Sequence, residues 1–106
     1  METQNIFFVI YPGFELLDLS GPVSVFSTAN AILQKEVPYA IHTVSVEGGL
    51  VASGAGIVVG SLLLDSIVVD KNATILVVGG DAPALFAASL NTEFKTWLAI
   101  NTKNVA

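Results

Sequence analysis

Asp18 lies in Glu15-Leu16-Leu17-Asp18-Leu19, with leucine on both sides. Such flanks predict a carboxyl group that is at least partly buried. Burial raises a carboxyl pKa, and a carboxylic acid that titrates near neutrality gives or takes a proton. The competing reading is a solvated loop aspartate, or one that caps the following helix, and spacing alone favours it. Glu15 is expected to be exposed. Gly79-Gly80 closes an apolar run and leads into Asp81. With no Cβ in the way, backbone N–H groups of such a pair approach a ligand closely. A tight turn without chemistry accounts for the same two residues, and the pair taken alone favours the turn.

Other chemistries find little support. His42 is the only histidine, and in a strand it shares a face with Ala40, Val44 and Val46, which marks it as structural. One histidine, no cysteine and scattered acids offer no transition-metal ligand set, so neither a metal nor a cofactor is expected. There is no Gly-x-Ser-x-Gly elbow, so a Ser-His-Asp site lacks its nucleophile turn. Gly54-Ala55-Gly56 lacks a third glycine and does not lead a first strand into a helix, which rules out a dinucleotide fingerprint. No phosphate-binding loop occurs.

These residues need elements to hold them. The run from Ala73 to Val78 has no alternation, which suits a strand covered on both faces, and the two glycines fall at its carboxyl end. Ligands of open α/β sheets bind at that end. Asn5 to Tyr11 is a second such run, closed by Pro12-Gly13. A loop over 14–19 is expected next, then a helix capped by Ser20 or Gly21 with Pro22 in its first turn. Val23, Phe26, Asn30 and Leu33 recur at helical spacing, widened by Val25, Ala29 and Ile32. The helix must stop before Pro38. Tyr39 to Val46 is rich in strand formers. After a turn at Glu47-Gly48-Gly49, Leu50 to Ser53 and Gly56 to Val59 predict a small hairpin or antiparallel edge. Residues 62–67 have no assignment. Asp81-Ala82-Pro83 predicts a helix start, with a short helix to Leu90. Asn91 predicts the cap of another, with Phe94, Trp97 and Leu98 on one face and a break over 101–104. Val105-Ala106 reads as the start of a further strand. This order implies a parallel α/β sheet.

Composition sets the bounds. The chain has 106 residues, 53% of them hydrophobic and only 12% charged, enough for one small domain with a large buried fraction. Net charge is −5, arginine is absent and the four lysines (Lys35, Lys71, Lys95, Lys103) are scattered. A phosphate backbone is gripped by clustered cations, so no direct nucleic-acid contact is expected from this segment. The N-terminal apolar run, Ile6 to Ile10, is too short for a signal core or a membrane span, and a cytoplasmic protein is expected.

The segment from Phe8 to Phe26, with its Leu17-Asp18-Leu19-Ser20-Gly21-Pro22 core, resembles the opening of the ThiJ/PfpI family, which has the class I glutamine amidotransferase-like fold. Val77-Val78-Gly79-Gly80 matches the same family, and the resemblance covers essentially the whole chain. It is nearest to the N-terminal domain of AraC-type regulators, through Phe26 to Asn30 and His42 to Ser53. The resemblance implies a flavodoxin-like parallel sheet with helices on both faces, usually in a homodimer. The family's enzymes use a cysteine at a strand-to-helix elbow. An acid at the position of Asp18 faces that cysteine, and amides at the positions of Gly79 and Gly80 form an oxyanion site. Asp81 is expected to join the glycines in binding a ligand. This chain has no cysteine, and it is expected to hold only the N-terminal part of the domain, ending before the elbow strand and helix. The function implied is a small-molecule-sensing or dimerisation domain of an AraC-type transcription regulator, with DNA bound by a separate domain. The alternatives are a fragment of a cysteine-dependent enzyme (isocyanide hydratase-like, or an amidase or hydrolase) and a non-catalytic interaction module.

Overall fold

Ile6, Phe7, Phe8, Val9 and Ile10 are all buried, and they form the centre of the sheet. The computed structural model describes residues 3–33 and 38–102. Strand β1 (Gln4–Val9) lies between two parallel neighbours, β2 (Tyr39–Ser45) and β5 (Thr74–Val77). Strand β4 (Val58–Leu63) runs parallel to β2, and β3 (Gly49–Ala52) pairs antiparallel with β4 at the edge. The order is β3-β4-β2-β1-β5. Only Val44 and Ser45 pair with β4, and the Thr43 hydroxyl donates to the Gly60 carbonyl at 2.6 Å beside that short ladder.

Side chains alternate along β1 and so divide the core into two layers. Ile6, Phe8 and Ile10 pack with Phe14, Leu19 and Val78 under helix α1 (Leu16–Leu33). Ala84 and Ala88 of helix α2 (Ala82–Ser89) join that layer. Phe7 and Val9 face the other way and pack with Val44, Leu64 and Trp97 beneath helix α3 (Thr92–Thr102). With helices on both faces of a mostly parallel sheet, the fold is the flavodoxin-like α/β architecture expected. His42 stacks on Phe7 with ring centroids 5.1 Å apart, and its Nε2 lies 3.0 Å from Asn5 Oδ1, a structural place as expected.

The structure corrects the sequence reading of α1. The helix starts at Leu16, so the expected loop is already helical and Pro22 lies inside it. Pro22 has no N–H to give the Asp18 carbonyl, a loss that normally breaks a helix. Here Leu19, only 5% exposed, anchors the preceding turn in the core, and Gly21 offers no Cβ to clash with the proline ring. Val23 and Phe26 face the sheet as expected, Phe26 meeting Phe8 and Tyr39 edge-on. Val25, Ile32 and Leu33 are exposed instead, so the inward stripe is narrower than the spacing predicts. Asn30 spends its carboxamide on the entry to β2, donating to the Tyr39 carbonyl and accepting from the Tyr39 N–H, both at 2.8 Å. By length and composition α1 is the one described helix able to cross a membrane; in the fold it covers the sheet through Leu19, Val23 and Phe26.

Elsewhere the expected elements form. The unassigned stretch completes β4 and a single 3-10 turn (Leu64–Ser66) that buries Leu64 in the second layer. Asp81 caps α2 through Oδ1, which accepts from the Ala84 N–H at 2.9 Å. Asn91 caps α3 in the same way, accepting from the Phe94 N–H at 2.9 Å. Helix α3 runs past the expected break at Asn101, whose Nδ2 donates to the Trp97 carbonyl at 2.8 Å and satisfies one of the last helical acceptors. Val105-Ala106 lies outside the described residues.

Candidate functional site

The loop after β1 and the glycine pair after β5 are stitched together at the carboxyl end of the sheet. The Val78 N–H donates to the Val9 carbonyl at 3.1 Å, and the Glu15 N–H donates to the Gly79 carbonyl at 2.8 Å. Phe14 and Gly80 form an isolated antiparallel bridge. On the other flank the Gly13 N–H donates to the Ala52 carbonyl at 2.9 Å, and the Gly54 N–H donates to the Phe14 carbonyl at 2.8 Å. The loop over 11–15 therefore ties β3 to β5 across the end of β1. Phe14, fully buried, is its side-chain anchor.

Asp18 and Gly79 come together here. A Cβ on Gly79 would stand 2.5 Å from Asp18 Oδ2, so the carboxylate occupies the space a side chain at 79 would need. Asp18 itself is exposed, against the expectation of burial. Neighbours in a helix point about 100° apart, so the leucines on either side of Asp18 do not enclose it. Leu19 turns into the core while Leu17 stays 70% exposed. Gly80 lies next to Tyr11 and the Gly13 carbonyl, and Asp81 is an exposed residue whose Oδ1 caps α2. Of the expected site residues, Asp18 and Gly79 thus meet directly, Gly80 faces Tyr11 and the Gly13 carbonyl instead, and Asp81 follows at the start of α2.

Tyr11 is the residue the sequence reading missed. It ends the first apolar run, only 8% exposed, and its hydroxyl donates to the Val78 carbonyl at 2.6 Å. The signal was available, because a buried tyrosine needs a partner for its O–H. Burial raises the Tyr11 pKa above its ordinary range, and the negative charges of Asp18 and Asp81 push it the same way. This has a consequence at alkaline pH. The unfolded tyrosine loses its proton near pH 10 while the folded one holds it, so stability is present below about pH 10 and falls as pH rises through the folded value. Tyr11→Phe is expected to flatten that alkaline fall. It also costs about 1–3 kcal/mol at neutral pH, because the buried Val78 carbonyl loses its donor. Urea denaturation at pH 7 and pH 10.5 checks both effects, and equal pH sensitivity in the two proteins would exclude Tyr11 as the cause.

A cleft of about 510 Å³ opens beside Tyr11, between the ends of β1 and β2 and helix α2. Its walls include Val9, Val46, Val51, Ala84 and Phe94, with Glu47 among the polar lining residues and, among the described residues, no lysine in the lining. Asp18, Gly79, Gly80 and Asp81 do not line this cleft; Tyr11, which lines it, is the residue that lies against Gly80, so the recess and the Asp18–Gly79 contact are linked through Tyr11 at the strand ends where α/β sheets take ligands.

A mostly parallel α/β sheet with helices on both faces, and the Asp18 carboxylate against Gly79 at the carboxyl end of β5, make this a flavodoxin-like fold. Solved structures carry the same fold. A ThiJ/PfpI family protein from Pseudomonas syringae superposes with a TM-score of 0.76 over 99% of this chain and 40% of that one, at 21% identity. An AraC family transcriptional regulator from Pseudomonas putida superposes with a TM-score of 0.71 over 96% of this chain and 62% of that one, at 19% identity. These are the two protein types named by the sequence resemblance. An uncharacterised Streptomyces lividans protein from the region 5′ of cpoL is 38% identical over 79 residues, 74% of this chain and 53% of its own length. The chain thus spans about half the length of that relative. No family model matches the chain.

Proposed function

We propose that this chain is the sensing and dimerisation unit of an AraC-type transcription regulator of the ThiJ/PfpI group, cytoplasmic and homodimeric, with DNA bound by a separate domain. The observation that carries the reading is Asp18 held against Gly79, with Tyr11 linking that contact to an apolar cleft, in a sequence without cysteine. The position suits the recognition of a polar group on a small molecule whose apolar part enters the cleft. The thiolate chemistry of the family's enzymes has no nucleophile in this chain. Glu47 at the cleft and Asp18 beside it favour an uncharged or cationic effector over an anion.

Asp18→Asn tests the reading. Asp18 is exposed, so the substitution is expected to change stability by less than about 0.5 kcal/mol. Effector-induced thermal stabilisation, screened with small neutral and cationic apolar compounds, should fall sharply in the variant. An undiminished shift in Asp18→Asn removes Asp18 from the site. The coding frame beyond Ala106 separates regulator from enzyme. A basic helix-turn-helix pattern supports the regulator, and a stop soon after an α/β domain that contains an elbow cysteine overturns it.

A further inference from the structure

Among the described residues two hydroxyl side chains line the cleft, Tyr11 and Ser45, and each has its only proton engaged. Tyr11 Oη donates to the Val78 carbonyl. Ser45 Oγ lies 2.7 Å from Ser61 Oγ, and Ser61 Oγ donates to the Gly49 carbonyl at 2.7 Å. A hydroxyl has one proton and a carbonyl only accepts, so Ser45 is the donor between the two serines. What Ser45 Oγ keeps is acceptor capacity. Ser45 ends β2 and is only 4% exposed. Val44 packs with Phe7 and Val9, so by alternation Ser45 faces the opposite layer, where Ala84 and Ala88 wall the cleft. A lone pair in such apolar surroundings counts for more than one in water. Glu47, two residues on, lines the same cleft with a carboxylate, which only accepts. Asn91 differs: its Oδ1 caps α3, which leaves Nδ2 as a donor on the helix side.

We infer that the β2 end of the cleft takes the primary ammonium of a small apolar amine, with Ser45 Oγ and the Glu47 carboxylate as its acceptors. An ammonium donates three hydrogen bonds and accepts none, which matches acceptors that have no proton to give. A carboxylate ligand would meet unpaired lone pairs and a like charge there. An alcohol donates one bond and brings no charge. The inference rests on the reading of the cleft as the effector site. It narrows an uncharged or cationic effector to an N–H donor whose tail lies against Val51, Ala84 and Ala88.

Hexylamine, hexanol and hexanoate share a tail and differ in the head, and at neutral pH the first is an ammonium, as a lysine side chain is. Isothermal titration calorimetry of the protein is expected to show hexylamine binding at least about tenfold more tightly than hexanol, and no binding of hexanoate. Ser45→Ala keeps the charge of the cleft and should weaken hexylamine by about tenfold and hexanol by less. Glu47→Gln should weaken hexylamine by up to about tenfold at low salt and less at high salt. Ser61 is not among the described lining residues, and Ser61→Ala frees the Ser45 proton. That variant should narrow the preference for hexylamine over hexanol, a change that a staple between strands would not produce. Equal affinity for the two compounds, or hexylamine binding untouched by Ser45→Ala, overturns the inference and leaves the sensing reading standing. Binding of none of the three overturns it as well. A coding frame that ends in an enzyme with an elbow cysteine overturns the sensing reading and leaves the ammonium site standing. If Ser45→Ala does not fold, as judged by circular dichroism, the responses of Glu47→Gln and Ser61→Ala decide.

Discussion

Phe14→Ala is expected to destabilise the protein by about 3–5 kcal/mol, the range for emptying a fully buried phenylalanine site. The side chain is 0% exposed and packs among Ile10, Leu19, Val51 and Val78. Its backbone is committed as well, with the N–H donating to the Tyr11 carbonyl and the carbonyl accepting from Gly54. The surrounding chain is therefore poorly placed to collapse into the cavity. Domains of this kind have about 5–15 kcal/mol to lose, so the variant would sit close to unfolding. Leu17→Ala, three residues on and 70% exposed, is the control and should change stability by less than about 0.5 kcal/mol. Urea denaturation of the two variants checks the contrast. A loss below about 1 kcal/mol in Phe14→Ala would mean that the 11–15 loop is held by its hydrogen bonds alone.

The same loop shows which parts of the fold could be read in advance. Unalternating runs marked β1 and β5 because both faces of a central parallel strand are covered, and the pattern survives without tertiary information. Asp81 and Asn91 announced helix starts because capping is local chemistry. The start of α1 was hidden for the opposite reason. Leu16-Leu17-Asp18-Leu19 carries no cap of its own, and Pro22 pointed to a later start. Burial of Leu19, a contact with distant strands, outweighed both. The burial of Asp18 was misjudged by the same route, since flanking leucines enclose a residue in a loop and point elsewhere in a helix. That Asp18 would meet Gly79 was implied only by resemblance. Its physical basis is the Glu15 to Gly79 hydrogen bond, which joins residues far apart in the chain and leaves no local trace.

Adjacent glycines at the site are expected to fail in different ways. A Cβ at Gly80 would stand 2.9 Å from Tyr11 Oη, 3.3 Å from Tyr11 Cε2 and 3.4 Å from the Gly13 carbonyl oxygen. The Tyr11 ring is buried and its hydroxyl is pinned to Val78, so it yields only by giving up that bond. Gly80→Ala should therefore cost about 1–3 kcal/mol of stability, as overpacking does. At Gly79 the obstacle is the carboxylate of Asp18, the exposed end of a side chain that can rotate away. Gly79→Ala should cost less than about 1 kcal/mol while moving the carboxylate off the glycine, so its effector response should fail as in Asp18→Asn. Gly79→Val adds a branch at the same point and should be worse than Asp18→Asn on both counts. Denaturation midpoints and effector-induced thermal shifts, measured on all four variants, separate the two failures. Full stability in Gly80→Ala would show that Tyr11 moves freely. A full effector response in Gly79→Val would reduce the glycine pair to a turn and leave Asp18 without a role that depends on its place above Gly79.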